Sequence, residues 1–146
     1  MKLKIDNAIT WLINSKLNRI RTQVKNINLG GCGLFAYHMY LALKDRGIES
    51  KILLLGTKQL PIHLILELDE FTYLDSKGIC SDKKDLLKEF GGGGKITEIT
   101  NDELGVMLTD IKWNKAFDYW FTDGNFQPKS NKDLLVECIK KEFYGL

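Results

Sequence analysis

The sequence predicts an α+β fold: helices first, then a small antiparallel sheet, then helices again. Three observations carry that expectation. Apolar residues recur at helical spacing over about residues 5–25 and again from Cys32 to Asp45. Short aliphatic runs follow, "KILLLG" and "IHLILELDEFTYLD", bounded by glycine, proline and acidic turn residues. Thr100 and Glu103 then stand at capping-box spacing, opening a second helical part. A chain of 146 residues suits one domain, 1–146, with a core over about 26–99 and a helical part over about 100–146.

Taken in order, the first helix shows apolar positions Ile5, Ala8, Ile9, Leu12, Ile20 and Val24 at mostly helical spacing, with basic residues between them. Asn26 to Gly31, rich in Asn and Gly, breaks it. The second helix, about Cys32 to Asp45, has a broad apolar face of Leu34, Phe35, Met39, Leu41, Ala42 and Leu43, and Gly47 sits in the C-terminal capping position. Strands are expected at about Lys51–Leu55, Ile62–Leu68 and Phe71–Leu74, the last two joined by a tight Asp69-Glu70 turn. Connections this short require antiparallel pairing. A short helix with a Ser or Asp cap is expected over Ser81–Phe90, a flexible connector at Gly91–Gly94, and a last strand at Ile96–Ile99. Lys95 follows the glycines with Ile96 after it, so the Ser or Thr of a phosphate loop is missing. An aromatic cluster (Trp113, Phe117, Tyr119, Trp120, Phe121) precedes a terminal helix over about Asn131–Phe143.

Composition narrows the function classes. The net charge of +2 gives no reason to expect nucleic acid, and the six basic side chains among residues 1–25 read as a solvated helix face. The apolar run Ala8–Ile13 is too short for a secretory leader or a membrane span and is broken by Asn14. Three cysteines with no CxxC spacing do not make a disulfide scaffold, so a cytoplasmic setting is expected. With only His38 and His63 available and no cysteine pair beside either, neither a metal nor a cofactor is expected.

The chemistry concentrates in "NLGGCGLFAYHMYLALKDRG", which places Cys32 on the first turn of a helix among glycines. Helix N-termini and imidazolium groups both favour a thiolate. The backbone N–H of Cys32, lacking an intrahelical partner, can donate to an oxyanion. His38 lies roughly a turn and a half further along the same helix and points elsewhere. His63 opens the strand "HLILEL", and Asp75 closes the following strand in "FTYLDSKG". An Asp69-Glu70 turn sets 63 nearly opposite 75, with side chains about 5 Å apart and in reach of a hydrogen bond. Taken singly, His63 reads as a core histidine and Asp75 as a turn residue; together with Cys32 they read as nucleophile, base and orienting carboxylate. Cys80, in a loop, and Cys138, within a helix, read as small packing residues.

These motifs resemble papain-like cysteine proteases in the broad sense, and most closely the transglutaminase-like branch, which also runs Cys, His, Asp. The matching residues are Gly31-Cys32, Phe35-Ala36, Gly47, His63 and Tyr73-Leu74-Asp75, within about residues 26–79. The chain also resembles small viral and bacterial proteins of this kind. It departs from several such families in having no Trp near the histidine. The resemblance implies Cys32 as nucleophile, His63 as general base and acid, and Asp75 as orienter, acting on a protein or peptide. It also implies an oxyanion-holding amide six residues before the cysteine, which is Asn26 here, with Gln23 and Asn28 as rivals. Hydrolysis, deamidation and transamidation remain open. So does a binding or inhibitory protein that keeps the fold, such as a viral or bacterial effector acting on a host protein.

Overall fold

The computed structural model describes residues 5–57, 61–88, 95–109 and 130–144, and the fold is α+β. The glycine run 91–94 and the aromatic cluster of 113–121 lie outside the described residues.

Helix α1 (Asn7–Gln23) starts where the Asp6 carboxylate accepts the Ile9 N–H, and it buries Ile13, Leu17 and Ile20. Asn26, at φ +58°, then turns the chain into a single 3₁₀ turn, Ile27–Leu29. Gly30 follows at φ +154°, a conformation L side chains rarely adopt. Helix α2 (Cys32–Asp45) begins immediately afterwards, capped by Gly31 with no side-chain oxygen. It buries Leu34, Phe35, Met39, Ala42 and Leu43. Leu41, expected on that face, is exposed, because it lies off the stripe its neighbours form.

The sheet runs β4–β3–β2–β1–β5, with every neighbouring pair antiparallel. Its strands are β1 (Lys51–Gly56), β2 (Pro61–Asp69), β3 (Thr72–Asp75), β4 (Gly78–Cys80) and β5 (Ile96–Ile99). One face packs on α1, α2 and the C-terminal helix, joining Leu64, Leu66 and Leu74 to Leu17, Phe35, Met39 and others. The other face buries Leu53, Leu55, Ile65 and Tyr73 with Leu86 of the short helix α3 (Lys83–Leu87), which Asp82 caps. Burial on both faces explains why β1 and β2 read as continuous aliphatic runs instead of alternating.

Helix α4 (Asn101–Leu108) opens with the complete Thr100–Glu103 capping box. Helix α5 (Asn131–Ile139) is capped by Ser130 and passes into a π turn, Lys140–Tyr144, which buries Phe143. Among the described residues no helix is long and apolar enough to cross a membrane.

Two further expectations need correction. The β2–β3 turn is Glu70-Phe71, not Asp69-Glu70: Asp69 pairs with Thr72, and the register shifts between Glu67 and Asp69. Cys80 lies on β4, not in a loop, because the two-residue turn at Ser76-Lys77 reverses the chain tightly enough for Tyr73 to pair with Cys80.

Candidate functional site

The β3–β4 hairpin turns through Ser76 and Lys77, with Asp75 paired to Gly78. Asp75 Oδ1 accepts the Lys77 N–H at 2.9 Å, the local bond that makes Asp a good turn residue. Its other oxygen, Oδ2, lies 3.0 Å from His63 Nε2. One carboxylate thus shapes the turn and binds the imidazole. With Leu66 opposite Leu74, one further step sets Asp75 beside Ile65, so His63 is a diagonal neighbour and not the direct partner a 69–70 turn implied. Diagonal positions remain in reach of a long side chain such as histidine.

Asn28, from the 3₁₀ turn before α2, reaches the same oxygen: its Nδ2 donates to Asp75 Oδ2 at 3.0 Å. Its own Oδ1 accepts the Ser76 hydroxyl at 2.7 Å. Helix α1 holds this hairpin from outside. Arg21 Nη1 donates to the Ser76 carbonyl at 2.6 Å, and Asn14 Oδ1 accepts the Ile79 N–H at 2.8 Å.

The cluster is almost dry. Residue exposure is 0% for His63, 1% for Asp75, 4% for Ser76, 5% for Cys32 and 8% for Asn28. Burial alone would push the His63 ring below its ordinary value. Hydrogen bonds to Asp75 and Cys32, with electrostatic attraction to both, outweigh it and raise the ring to about 9. Asp75 takes Nε2, which leaves Nδ1 as the ring nitrogen for the interaction with Cys32. A protonated His63 is therefore flanked by a carboxylate on one side and a thiol on the helix N-terminus on the other.

The structure thus brings together Cys32, His63 and Asp75. Asn26 is exposed on its left-handed turn, lining a surface cavity of about 340 Å³ with Asn28, Ser76 and Lys77. The 3₁₀ turn sends the carboxamide two residues on, that of Asn28, into the buried cluster. Gln23, the other rival, is exposed at the end of α1. His38 is half-buried on α2, edge-on to Tyr37, and burial with Lys140 and Lys132 lowers its ring. Cys80 Sγ lies against the Asp82 carbonyl at 3.3 Å, and burial, with Glu137 adding, raises the Cys138 thiol. Among the described residues no group of three or more His, Cys, Asp or Glu is placed to hold a metal ion.

Sequence reasoning missed the part Ser76 plays and placed Asn28 only as a rival oxyanion donor. The signal was an Asn two residues before a Gly-Gly pair and a Ser directly after Asp75. Comparison with protein-family models, curated proteins and solved structures finds no match to this chain.

Proposed function

We propose that this protein is a thiol-dependent acyl-transfer enzyme built on a papain-like or transglutaminase-like core, with a protein or peptide as substrate. The observation that carries the reading is the buried chain of contacts from Cys32 through His63 to Asp75, its sulfur at a helix N-terminus. Structural ion pairs also perturb histidines, but they do not require a cysteine on a glycine-capped first turn beside the ring.

In that mechanism the Cys32 thiol proton passes to His63, the thiolate attacks the substrate carbonyl carbon, and the carbonyl electrons move onto oxygen. The Cys32 N–H, left without an intrahelical partner by its place in the first turn, donates to that oxyanion. The exposed Asn26 carboxamide is the candidate second donor. As the tetrahedral intermediate collapses, the C–N bond breaks and His63 gives its proton to the departing amine, leaving a thioester. His63 then takes a proton from water, or from an acceptor amine, as that group attacks the thioester and expels the Cys32 sulfur. Asp75 holds the ring so that Nδ1 faces the sulfur and supports its charge. Peptide hydrolysis, side-chain deamidation and transamidation share these steps and differ in which amide is attacked and what resolves the thioester.

The near-complete burial of Cys32 and His63 favours a second reading, a binding or inhibitory protein in which the cluster serves stability. Trapping separates the two. Proteins captured as thioesters or altered by the wild type, and not by Cys32→Ala, support the enzyme. A biological activity unchanged by Cys32→Ala supports the binding protein.

A further inference from the structure

We infer that Asn28 is a positioning residue of this site, holding the Asp75 carboxylate in the orientation that meets His63, with Ser76 fixing which end of the Asn28 amide faces that carboxylate. The inference rests on the acyl-transfer reading and adds to it a role that neither Asn28 nor Ser76 has there.

The donor and acceptor pattern leaves one arrangement. An ionised carboxylate only accepts, so the end of Asn28 facing Asp75 is its NH₂ group, which donates at 3.0 Å. The opposite end, the oxygen, accepts from Ser76 Oγ at 2.7 Å. Flipping the amide would turn an oxygen toward the carboxylate and an NH₂ toward the hydroxyl. The backbone of Ser76 is held in turn by Arg21, so the chain of bonds ends on α1 and not on a free side chain.

The carboxylate is equally constrained. Oδ1 is occupied by the Lys77 N–H at 2.9 Å, and Oδ2 receives both Asn28 and His63. The bond from Lys77 is local and would survive a small swing of the carboxylate about its own stem. Asn28, arriving from a separate segment, opposes that swing. This geometry also explains why Asn28 is buried while Asn26 is exposed, although both lie on the turn leading to the nucleophile. Asn28 works through Asp75 and touches no reacting atom.

The test is an NMR titration of the His63 Cε1–H in a His38→Gln background, which leaves a single histidine, read beside the rate of Cys32 alkylation by iodoacetamide. The groups facing His63 are Cys32 from α2 and Asp75 from β3. Once Asn28 no longer opposes its swing, the Asp75 carboxylate turns from the ring and supports the imidazolium less, so in Asn28→Ala the His63 midpoint should fall by about one to two pH units, with Cys32 alkylation slowed about tenfold or more at pH 7. Ser76→Ala removes only the bond that orients the amide, so it should move both readouts the same way by less. It also decides the matter if Asn28→Ala does not fold. Unchanged midpoints in the folded variants, or a rise, overturn the assignment; a rise would mean that Asn28 competes for Oδ2 instead of positioning it. In the protein with Asn28 and Ser76 intact, an ordinary His63 midpoint with Cys32 no more reactive than Cys80 overturns the enzyme reading and this inference with it. A raised midpoint that survives both substitutions overturns the inference alone.

Discussion

His63 Nε2 and Asp75 Oδ2 meet at 3.0 Å with 0% and 1% of their side chains exposed, so each group's charge is balanced by the other with little help from water. Such a pair is costly to break from one side, because the remaining charge is left buried without its counterpart. Its value to the protein follows the protonation of the ring.

Stability should therefore depend on pH in a defined direction. The folded His63 is raised from 6.5 to about 9, so its contribution is fully present below about pH 6.5 and is lost as pH climbs through about 9. The loss across that window is on the order of 3 kcal/mol. Urea unfolding at pH 6 and pH 9.5 checks it: the wild type should lose more stability between the two than His63→Gln, whose difference lacks this component. Equal losses in both proteins contradict the pairing.

Asp75→Asn separates the two tasks of the carboxylate. An asparagine oxygen can still accept the Lys77 N–H, so the β3–β4 turn should persist. The amide cannot accept in the same way from both His63 and Asn28, and the support for the ring's charge disappears. Acylation by 4-nitrophenyl acetate, followed by release of 4-nitrophenolate, should fall by up to about 10⁴-fold. Urea unfolding should show a loss of about 3–5 kcal/mol. Wild-type acylation in a folded Asp75→Asn protein would remove Asp75 from the mechanism.

The fold was legible wherever local chemistry decided it. The α2 boundaries follow from Gly31 and Gly47 flanking an apolar stripe, and the α4 start from the Thr100–Glu103 box. What escaped depended on contacts distant in sequence. The β2–β3 register hangs on an irregularity between Glu67 and Asp69 that no residue there announces, and β4 is only three residues long. The positions of Cys32, His63 and Asp75 at strand and helix ends singled them out as candidates because their residue types are chemically suggestive. Asn28 and Ser76 are ordinary loop residues by type. Their meaning lies in which partners they find across 47 and 48 residues of chain.

Gly78 should resist substitution more than Gly47. Both have positive φ, +128° and +81°, but a Cβ on Gly78 would stand 2.9 Å from Asn14 Oδ1, whereas one on Gly47 meets nothing within 4 Å. Gly47→Ala should cost backbone strain of about 1 kcal/mol, and Gly78→Ala should cost more, about 2–3 kcal/mol. Because Asn14 also holds Ile79, Gly78→Ala should loosen the hairpin that carries Asp75. Thermal unfolding of the two variants ranks them; equal losses contradict the close approach of α1.

Asn26→Ala should divide acylation from alkylation. Attack on a carbonyl builds an oxyanion, while displacement of iodide from iodoacetamide builds none. If Asn26 donates to the oxyanion, 4-nitrophenyl acetate turnover should fall by about 10²–10³-fold with Cys32 alkylation unchanged. Unchanged turnover would leave the first-turn backbone as the oxyanion donor and remove Asn26 from the site.

The central claim, that Cys32 is a nucleophile armed by His63, is tested most directly by competitive alkylation of the three thiols. Limiting iodoacetamide at pH 7, with labelled sites quantified by mass spectrometry, should modify Cys32 at least about tenfold faster than Cys80 or Cys138, and His63→Ala should abolish that preference. Labelling of Cys32 at an equal or slower rate than the other two, or a preference that persists without His63, would contradict it.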